Sequence, residues 1–202
     1  GVAFLGLTEK QSAAIREQSG LLFDGQQSAA LKGNLGSFVN KVVGVESGGD
    51  PTARNPNSTA TGLGQFIEST WLEMFRRYFP DRAATMSEAA ILALREDAAL
   101  SRQIVELYAQ QNARVLEGAG LAVNEASLYL THFLGPDGAV KVLSASATTP
   151  ISQLLGSDQI NANQSILDGK TAGQVVQWAA QKMQITQAEV SANERLAELD
   201  RD

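Results

Sequence analysis

The chain has 202 residues and a formal net charge of −6, with 44% hydrophobic residues, one histidine and no cysteine. Its length allows one sizeable core, whereas its acidic balance argues against binding to duplex nucleic acid, which needs clustered Lys and Arg. The missing cysteines exclude disulfides and thiol chemistry, and the single histidine argues against a histidine-rich zinc site. No apolar run approaches the ~20 residues of a membrane span. We therefore expect no metal, no cofactor and no membrane span.

Residues 1–34 are predicted to form a helix and a linker ahead of the main domain. Thr8 and Gln11 have the spacing of a capping box for a helix that runs to about Gln18, and Gly20 is a helix stop. Residues 24–34 are polar apart from a short alanine-leucine patch, which predicts a linker. The opening residues 1–7 lack the basic front and the long apolar middle of a secretory signal.

A helix with one acid on its apolar face is predicted from Leu35 onward. Its apolar stripe at helical spacing consists of Leu35, Phe38, Val39, Val42 and Val43. Glu46 lies four residues after Val42, so its carboxylate would project from the same face. Apolar neighbours and the negative helix end at the Gly48-Gly49 stop both favour a protonated acid, which a general acid needs. A solvated residue at a helix end is the alternative interpretation.

A polar loop follows the acid and returns through two glycines. Asp50-Pro51 and Asn55-Pro56 impose extended or turn geometry on the chain. Gly62-Leu63-Gly64-Gln65-Phe66 then brings the chain back, and its glycines would let the backbone approach another surface closely. Gln65 would place a carboxamide, with two donors and an acceptor, beside the acid.

Four short motifs therefore follow one another in this region. They are Glu46-Ser47-Gly48-Gly49-Asp50-Pro51, Asn55-Pro56, Gly62-Leu63-Gly64-Gln65-Phe66 and Ser69-Thr70-Trp71. Together they resemble the catalytic segment of the soluble lytic transglycosylases and their lysozyme-like relatives. The resemblance implies an all-α, lysozyme-like catalytic domain over residues 35–145. It also implies cleavage of peptidoglycan glycan strands between N-acetylmuramic acid and N-acetylglucosamine in the periplasm or cell envelope, with Glu46 as the catalytic acid. Substrate contacts are expected from Ser47, Asn55, Gln65 and Phe66.

The helices predicted after the motifs are expected to be scaffold. An aromatic stripe runs up to the stop at Pro80 and consists of Trp71, Leu72, Phe75, Tyr78 and Phe79. Core packing is favoured over sugar stacking for Trp71 and Tyr78 because the stripe is regular. Ser87 and Asp97 are predicted helix caps. The helix predicted to begin after Asp97 ends at Gly118. Its predicted buried face consists of Leu100, Ile104, Leu107, Tyr108 and Val115.

The stretch from Glu125 to Pro136 is the second informative one. On a helix Glu125, Tyr129 and His132 share one side, and a lone histidine among apolar neighbours is more often a core group than a ligand. In the family that the chain resembles, a second motif reads A-A-Y-N-A-G-P. Lining it up on Gly135-Pro136 places His132 on its tyrosine and Phe133 on its asparagine, which implies substrate contacts by these two residues. A substrate contact is also expected from Glu125, because it shares a helix side with His132. His132 departs from the pattern because a histidine can also take up a proton. Similar stretches in lysozyme-like domains of phage tail proteins make delivery by a virion an alternative.

Residues 146–202 are predicted to be a helical extension packed on the domain. Residues 135–138 are predicted to be a turn before a short helix over 139–143, and Pro150 to occupy a first helical position. Residues 158–169 are predicted to be a loop. Thr171 then caps a long helix whose predicted inward residues are Val175, Val176, Ala179 and Met183. The charged tail from Ala188 is expected to fray.

Three functions stay open at this point. In a transglycosylase, Glu46 acts first as acid and then as base, and an anhydro sugar forms without a second carboxylate. A hydrolytic muramidase of the inverting type needs a second carboxylate about 6.5 to 9.5 Å from the first. The candidates for that role are Asp50, Glu68, Glu125 and Asp137. The third function is a non-catalytic glycan-binding or structural module of a phage tail or of an envelope-spanning secretion or flagellar machine. The sequence favours the first.

Overall fold

The structure, a computed structural model, describes residues 27–184, with side chains from residue 35 onward. These residues form helices and loops with three isolated bridges and no strand, so the predicted all-α class is confirmed. None of the helices in this part of the chain is both long and apolar enough to cross a bilayer. The helix predicted over 8–18 and the tail from Ala188 lie outside the described residues.

The described chain belongs to two compact units. One consists of Leu35–Tyr108, and the other contains residues 109–184. The predicted bounds of a catalytic domain over residues 35–145 and of an extension over 146–202 stay predictions.

Helix α1 spans Gln27–Ser47. Residues 27–34, which were predicted to be part of a linker, are therefore helical. The sequence there is rich in good helix formers, and adding turns to an existing helix avoids a new nucleation step. The predicted stop is confirmed, because Gly48 and Gly49 adopt φ values of +62° and +85°. The predicted core face is also confirmed, with 6% exposure or less at Leu35, Phe38, Val39, Val42 and Val43.

Three short helices follow the loop. Helix α2 spans Glu68–Tyr78 and ends before Pro80 as predicted, α3 spans Pro80–Ala83, and α4 spans Glu88–Ala93 before a 3-10 turn over Leu94–Glu96. The predicted Ser87 cap is confirmed, since Ala90 N donates to Ser87 Oγ over 3.2 Å. Trp71 is fully buried and its Nε1 donates to the Ile91 carbonyl over 2.8 Å. The expectation that Trp71 packs in the core is therefore confirmed.

Helix α5 spans Ala98–Gly118 and is capped by Asp97, whose Oδ1 accepts from Leu100 N over 2.9 Å. The cap and the end of the helix are as predicted. The buried face is only partly so, because Val115 is 38% exposed while Leu116 is fully buried. A buried stripe runs from Val105 through Ala109 and Asn112 to Leu116. The stripe thus turns away from Val115 along the helix.

Among its described residues, the second unit contains five helices after α5. Helix α6 spans Glu125–Leu134, α7 Pro136–Ser144, α8 Ser157–Ala162, α9 Gln164–Leu167 and α10 Ala172–Met183, with a 3-10 turn at Ile151–Gln153. Asn124 caps α6 in a box with Ser127, and the predicted Thr171 cap of α10 is confirmed. Of the residues predicted to face inward on α10, Val175, Ala179 and Met183 are fully buried, and Val176 is half-buried.

Three predictions in this unit are wrong. The predicted turn over 135–138 is instead the start of α7, because Pro136 occupies the first helical position, where a missing N–H costs nothing. Pro150 itself precedes its 3-10 turn in an extended conformation and pairs with Thr171. The predicted loop over 158–169 contains α8 and α9, whose apolar residues Ile160 and Leu167 are buried. Burial of these side chains stabilises turns that the polar composition disfavours.

Candidate active site

Glu46 lies in the last turn of α1 and is half-buried, shortly after the fully buried Val42 and Val43. The helix end beside it is fixed by Ser47, whose Oγ donates to the Val43 carbonyl over 3.0 Å and accepts from Gly49 N over 3.3 Å. Ser47 therefore closes the helix that carries the acid. A contact between Ser47 and a sugar stays a prediction.

Two consecutive turns lead from this helix end to Ala53. Asp50 N donates to the Ser47 carbonyl over 3.1 Å, and Ala53 N donates to the Asp50 carbonyl over 3.2 Å. The Asp50 carboxylate accepts from Thr52 N over 2.9 Å and from Thr52 Oγ1 over 2.8 Å. These two bonds hold the pKa of the Asp50 carboxyl below its ordinary value.

The Ala53 carbonyl joins this segment to the returning loop. It accepts from Gly62 N over 2.8 Å and from Gln65 Nε2 over 3.0 Å. Gln65 Nε2 also donates to the Gly62 carbonyl over 3.0 Å, and Gln65 has a positive φ of 52°. Both N–H groups of the carboxamide are therefore used by the backbone, and Oε1 is the group left to accept from a ligand. The shown role of Gln65 is to close the loop, and its contact with substrate stays a prediction.

The two glycines of the loop allow close packing, as predicted. Gly62 adopts φ +85°, and a Cβ atom there would lie 2.0 Å from the Arg95 carbonyl oxygen. A Cβ on Gly64 would lie 2.7 Å from Val105 Cγ2. Both distances are shorter than any non-bonded carbon contact, so side chains at these positions would displace the loop.

Arg95 anchors the same loop, and the sequence gives no sign of this. Its Nη1 donates to the Thr59 carbonyl over 2.6 Å and to the Phe66 carbonyl over 3.1 Å, and its Nε donates to the Leu92 carbonyl over 3.1 Å. The residue is 8% exposed, and burial lowers the pKa of its guanidinium group. The loop carbonyls that it binds are backbone atoms 29 and 36 residues away in sequence, which no local motif encodes.

Phe66 and Asn55 have structural roles in the loop. Phe66 is 3% exposed, and its ring centroid lies 5.6 Å from that of Trp71 and 5.8 Å from that of Tyr108. The ring of Phe66 is therefore a core group beneath the loop. Asn55 is exposed, and its Oδ1 accepts from Asn57 N over 2.9 Å, which stabilises a turn. Contacts between these two residues and a sugar stay predictions.

The residues of the second motif belong to the second unit. Glu125 is the first residue of α6 and half-buried, and His132 and Phe133 are half-buried in its last turn. The Phe133 ring centroid lies 4.8 Å from that of Trp178 and 6.4 Å from that of the buried Tyr129. The packing of Trp178 beside Phe133 was not predicted from the sequence. Its position three residues after Val175, which was predicted to face inward on α10, could have indicated it. Glu46, Ser47, Asn55, Gln65 and Phe66 all lie in the other unit.

No cluster of three or more His, Cys, Asp or Glu residues in the described part of the chain could hold a metal ion.

Comparison with known proteins finds a partial match. A stretch of 38 residues is 50% identical to a protein of Staphylococcus haemolyticus. That relative is a probable transglycosylase, SceD. The match covers 19% of this chain and 16% of the relative's own length. No family model matches the chain. The match therefore suggests a relationship with transglycosylases over this stretch of the chain.

Proposed function

We propose that the protein cleaves the glycosidic bond between N-acetylmuramic acid and N-acetylglucosamine in bacterial peptidoglycan, without water, as a lysozyme-like lytic transglycosylase. The observation that carries this proposal is the arrangement around Ala53. Its carbonyl ties the loop that bears Gln65 to the segment that directly follows the half-buried Glu46. The partial match to a probable transglycosylase supports the same class of enzyme.

In the proposed reaction Glu46 acts twice. Its carboxylic acid first protonates the bridging oxygen, so the glycosidic bond breaks and positive charge develops on the muramic acid ring. The carboxylate then removes the proton from the primary hydroxyl of the same sugar, and that oxygen bonds to the anomeric carbon. The product is a 1,6-anhydro sugar, the acid is regenerated, and no other reactant is consumed.

Gln65 is proposed to orient the substrate through Oε1. An amide oxygen can accept from the N–H of an N-acetyl group, while the two donors of this carboxamide hold the loop. Such positioning matters because a shift of about 1 Å in an orienting group can lower a rate by about 100-fold. Contacts by His132 and Phe133 rest on the second motif alone, and a contact by Glu125 rests on the helix side that it shares with His132; none of them carries the proposal.

The rival mechanism is hydrolysis with a second carboxylate as general base. Asp50 is the candidate closest in sequence, and both of its bonds to Thr52 serve the turn. Those bonds use Oδ1 and lower the pKa of the carboxyl. The two routes are separated by their products, because hydrolysis leaves reducing ends and the anhydro route does not.

The proposed place of action is the periplasm or cell envelope. A role within a secretion, flagellar or phage-tail assembly, with delivery by a virion in the last case, is compatible with the same chemistry. Each of these settings would bring the enzyme to peptidoglycan.

Mass spectrometry of digested peptidoglycan tests the function. We expect anhydro-muramoyl ends from the wild type and no products from Glu46→Gln, which keeps the shape of the side chain but cannot donate the proton. Glu73→Gln is the matched control, because Glu73 is an exposed glutamate of α2, and it should behave as the wild type. Reducing ends would support the hydrolase. An intact wall after treatment with wild-type protein would support a non-catalytic module.

A further inference from the structure

We infer that Arg95 is a positioning residue of the active site, which holds the Gln65 loop in the geometry that substrate binding requires. The inference deepens the proposed function and rests on it for its catalytic consequence. Its structural part, the control of the Gln65 carboxamide by Arg95, stands on the contacts alone.

The loop is held at both of its ends by one guanidinium group. Nη1 binds the carbonyls of Thr59 and Phe66, which flank the segment that contains Gln65. Nε binds the Leu92 carbonyl at the end of α4, so the guanidinium connects the loop to that helix. Hydrogen bonds from a cation to neutral acceptors are stronger than neutral pairs, and this cation is 8% exposed.

The backbone of Arg95 supports the middle of the same loop. Its carbonyl oxygen lies against Gly62, at a place that no Cβ atom could occupy. Gly62 in turn offers its carbonyl to Gln65 Nε2 and its N–H to Ala53. Arg95 therefore contacts the loop at three points, and the central point is also a partner of the Gln65 side chain.

The planar fork of arginine explains why this residue type is needed. The guanidinium group presents donors in fixed directions, whereas the lysine ammonium is a single point charge on a flexible stem. Arg95→Lys keeps the charge but cannot bind the three carbonyls in the same plane. We therefore expect the loop to relax and the Gln65 carboxamide to lose its fixed position in this variant.

A double-mutant cycle tests whether Arg95 acts through Gln65. We expect Arg95→Lys to lower kcat/KM on peptidoglycan by about 10- to 100-fold at a temperature at which circular dichroism shows the protein folded. In the Gln65→Ala background the same change should alter kcat/KM by less than about twofold, because the group that Arg95 positions is gone. Arg54→Lys is the matched control. Arg54 belongs to the same loop region but its side chain is exposed and pairs with exposed Glu96 over 3.1 Å, so this variant should retain wild-type activity.

A second measurement does not depend on activity. In ¹⁵N NMR spectra, Arg95→Lys should shift the Gln65 side-chain amide signals and speed their exchange with water, and Arg54→Lys should leave them unchanged. If the lysine variant does not fold, the wild type itself provides the test. There the Arg95 guanidinium should show slow rotation about its Nε–Cζ bond.

Three results would overturn the inference. One is an equal loss of activity from Arg95→Lys in the wild-type and Gln65→Ala backgrounds, and another is an unchanged Gln65 amide signal. The third is free rotation of the guanidinium in the wild type. A wild type without activity on peptidoglycan would instead refute the proposed function, while the amide measurement would still decide whether Arg95 controls Gln65.

Discussion

Replacing Gly62 by alanine probes the loop that carries Gln65 at its tightest point. The added Cβ would lie 2.0 Å from the Arg95 carbonyl oxygen, so the loop has to move by roughly 1 Å or more to restore an ordinary van der Waals contact. The residue also has φ +85°, which costs a non-glycine residue about 1–2 kcal/mol. A displaced loop would lose the hydrogen bonds from Gly62 N to the Ala53 carbonyl and from Gln65 Nε2 to the Gly62 carbonyl. The loss of each bond would cost about 1 kcal/mol. We expect a total loss of about 2–4 kcal/mol in the free energy of unfolding.

Urea unfolding monitored by circular dichroism measures this loss, provided the slope of the transition is unchanged. Gly36→Ala is the matched control. Gly36 lies on α1, and no neighbouring atom lies within 4 Å of the place that its Cβ would take, so the same substitution should stabilise the helix by up to about 1 kcal/mol. A Gly62→Ala variant within about 0.5 kcal/mol of the wild type would refute the reasoning, because the loop would then not rest on Arg95. Activity should fall together with stability if the position of Gln65 matters for cleavage.

Three further predictions concern the scaffold and the turn after Glu46. Trp71→Phe should lower the free energy of unfolding by about 1–3 kcal/mol in a thermal melt, because it removes a buried hydrogen bond to the Ile91 carbonyl and leaves a cavity where the larger ring was fully buried; an unchanged melt would contradict this role. Thr171→Ala should cost about 1 kcal/mol through the lost cap of α10, whereas Thr171→Ser should cost less. Thr52→Ala should raise the pKa of the Asp50 carboxyl toward its ordinary value of 3.8, as followed by NMR titration. Because the pKa of the Asp50 carboxyl is lower in the folded than in the unfolded protein, its ionisation stabilises the fold at a pH above the pKa of the unfolded state. This stabilisation is lost as the pH falls through the pKa of the folded state.

Local chemistry could be predicted well from the sequence. The stop at Gly48-Gly49, the caps at Ser87, Asp97 and Thr171 and the buried stripe of α1 each depend on residues within a few positions of one another. The signals of the stop and the caps are reliable because their hydrogen bonds are formed within one turn.

Features set by distant contacts could not be predicted. The two short helices within residues 157–167 exist because Ile160 and Leu167 are buried, and the face of α5 turns away from Val115 as its neighbours change. Arg95 is the clearest case, since its acceptors are backbone carbonyls that every residue type supplies. In the candidate site, the motifs identified Glu46 and Gln65 as candidate residues. The hydrogen bonds that hold the Gln65 loop could not be predicted from those motifs.

The anchoring of the loop has a consequence for engineering. Carbonyl oxygens of Ala53, Thr59, Gly62 and Phe66 accept the bonds that fix its path, and the donors are the side chains of Gln65 and Arg95. The side chain at exposed position 57 can be changed without removing any of these bonds, because Asn57 donates to Asn55 Oδ1 through its backbone N–H. A library randomised at that position would show whether the loop keeps its path when only an exposed side chain is changed.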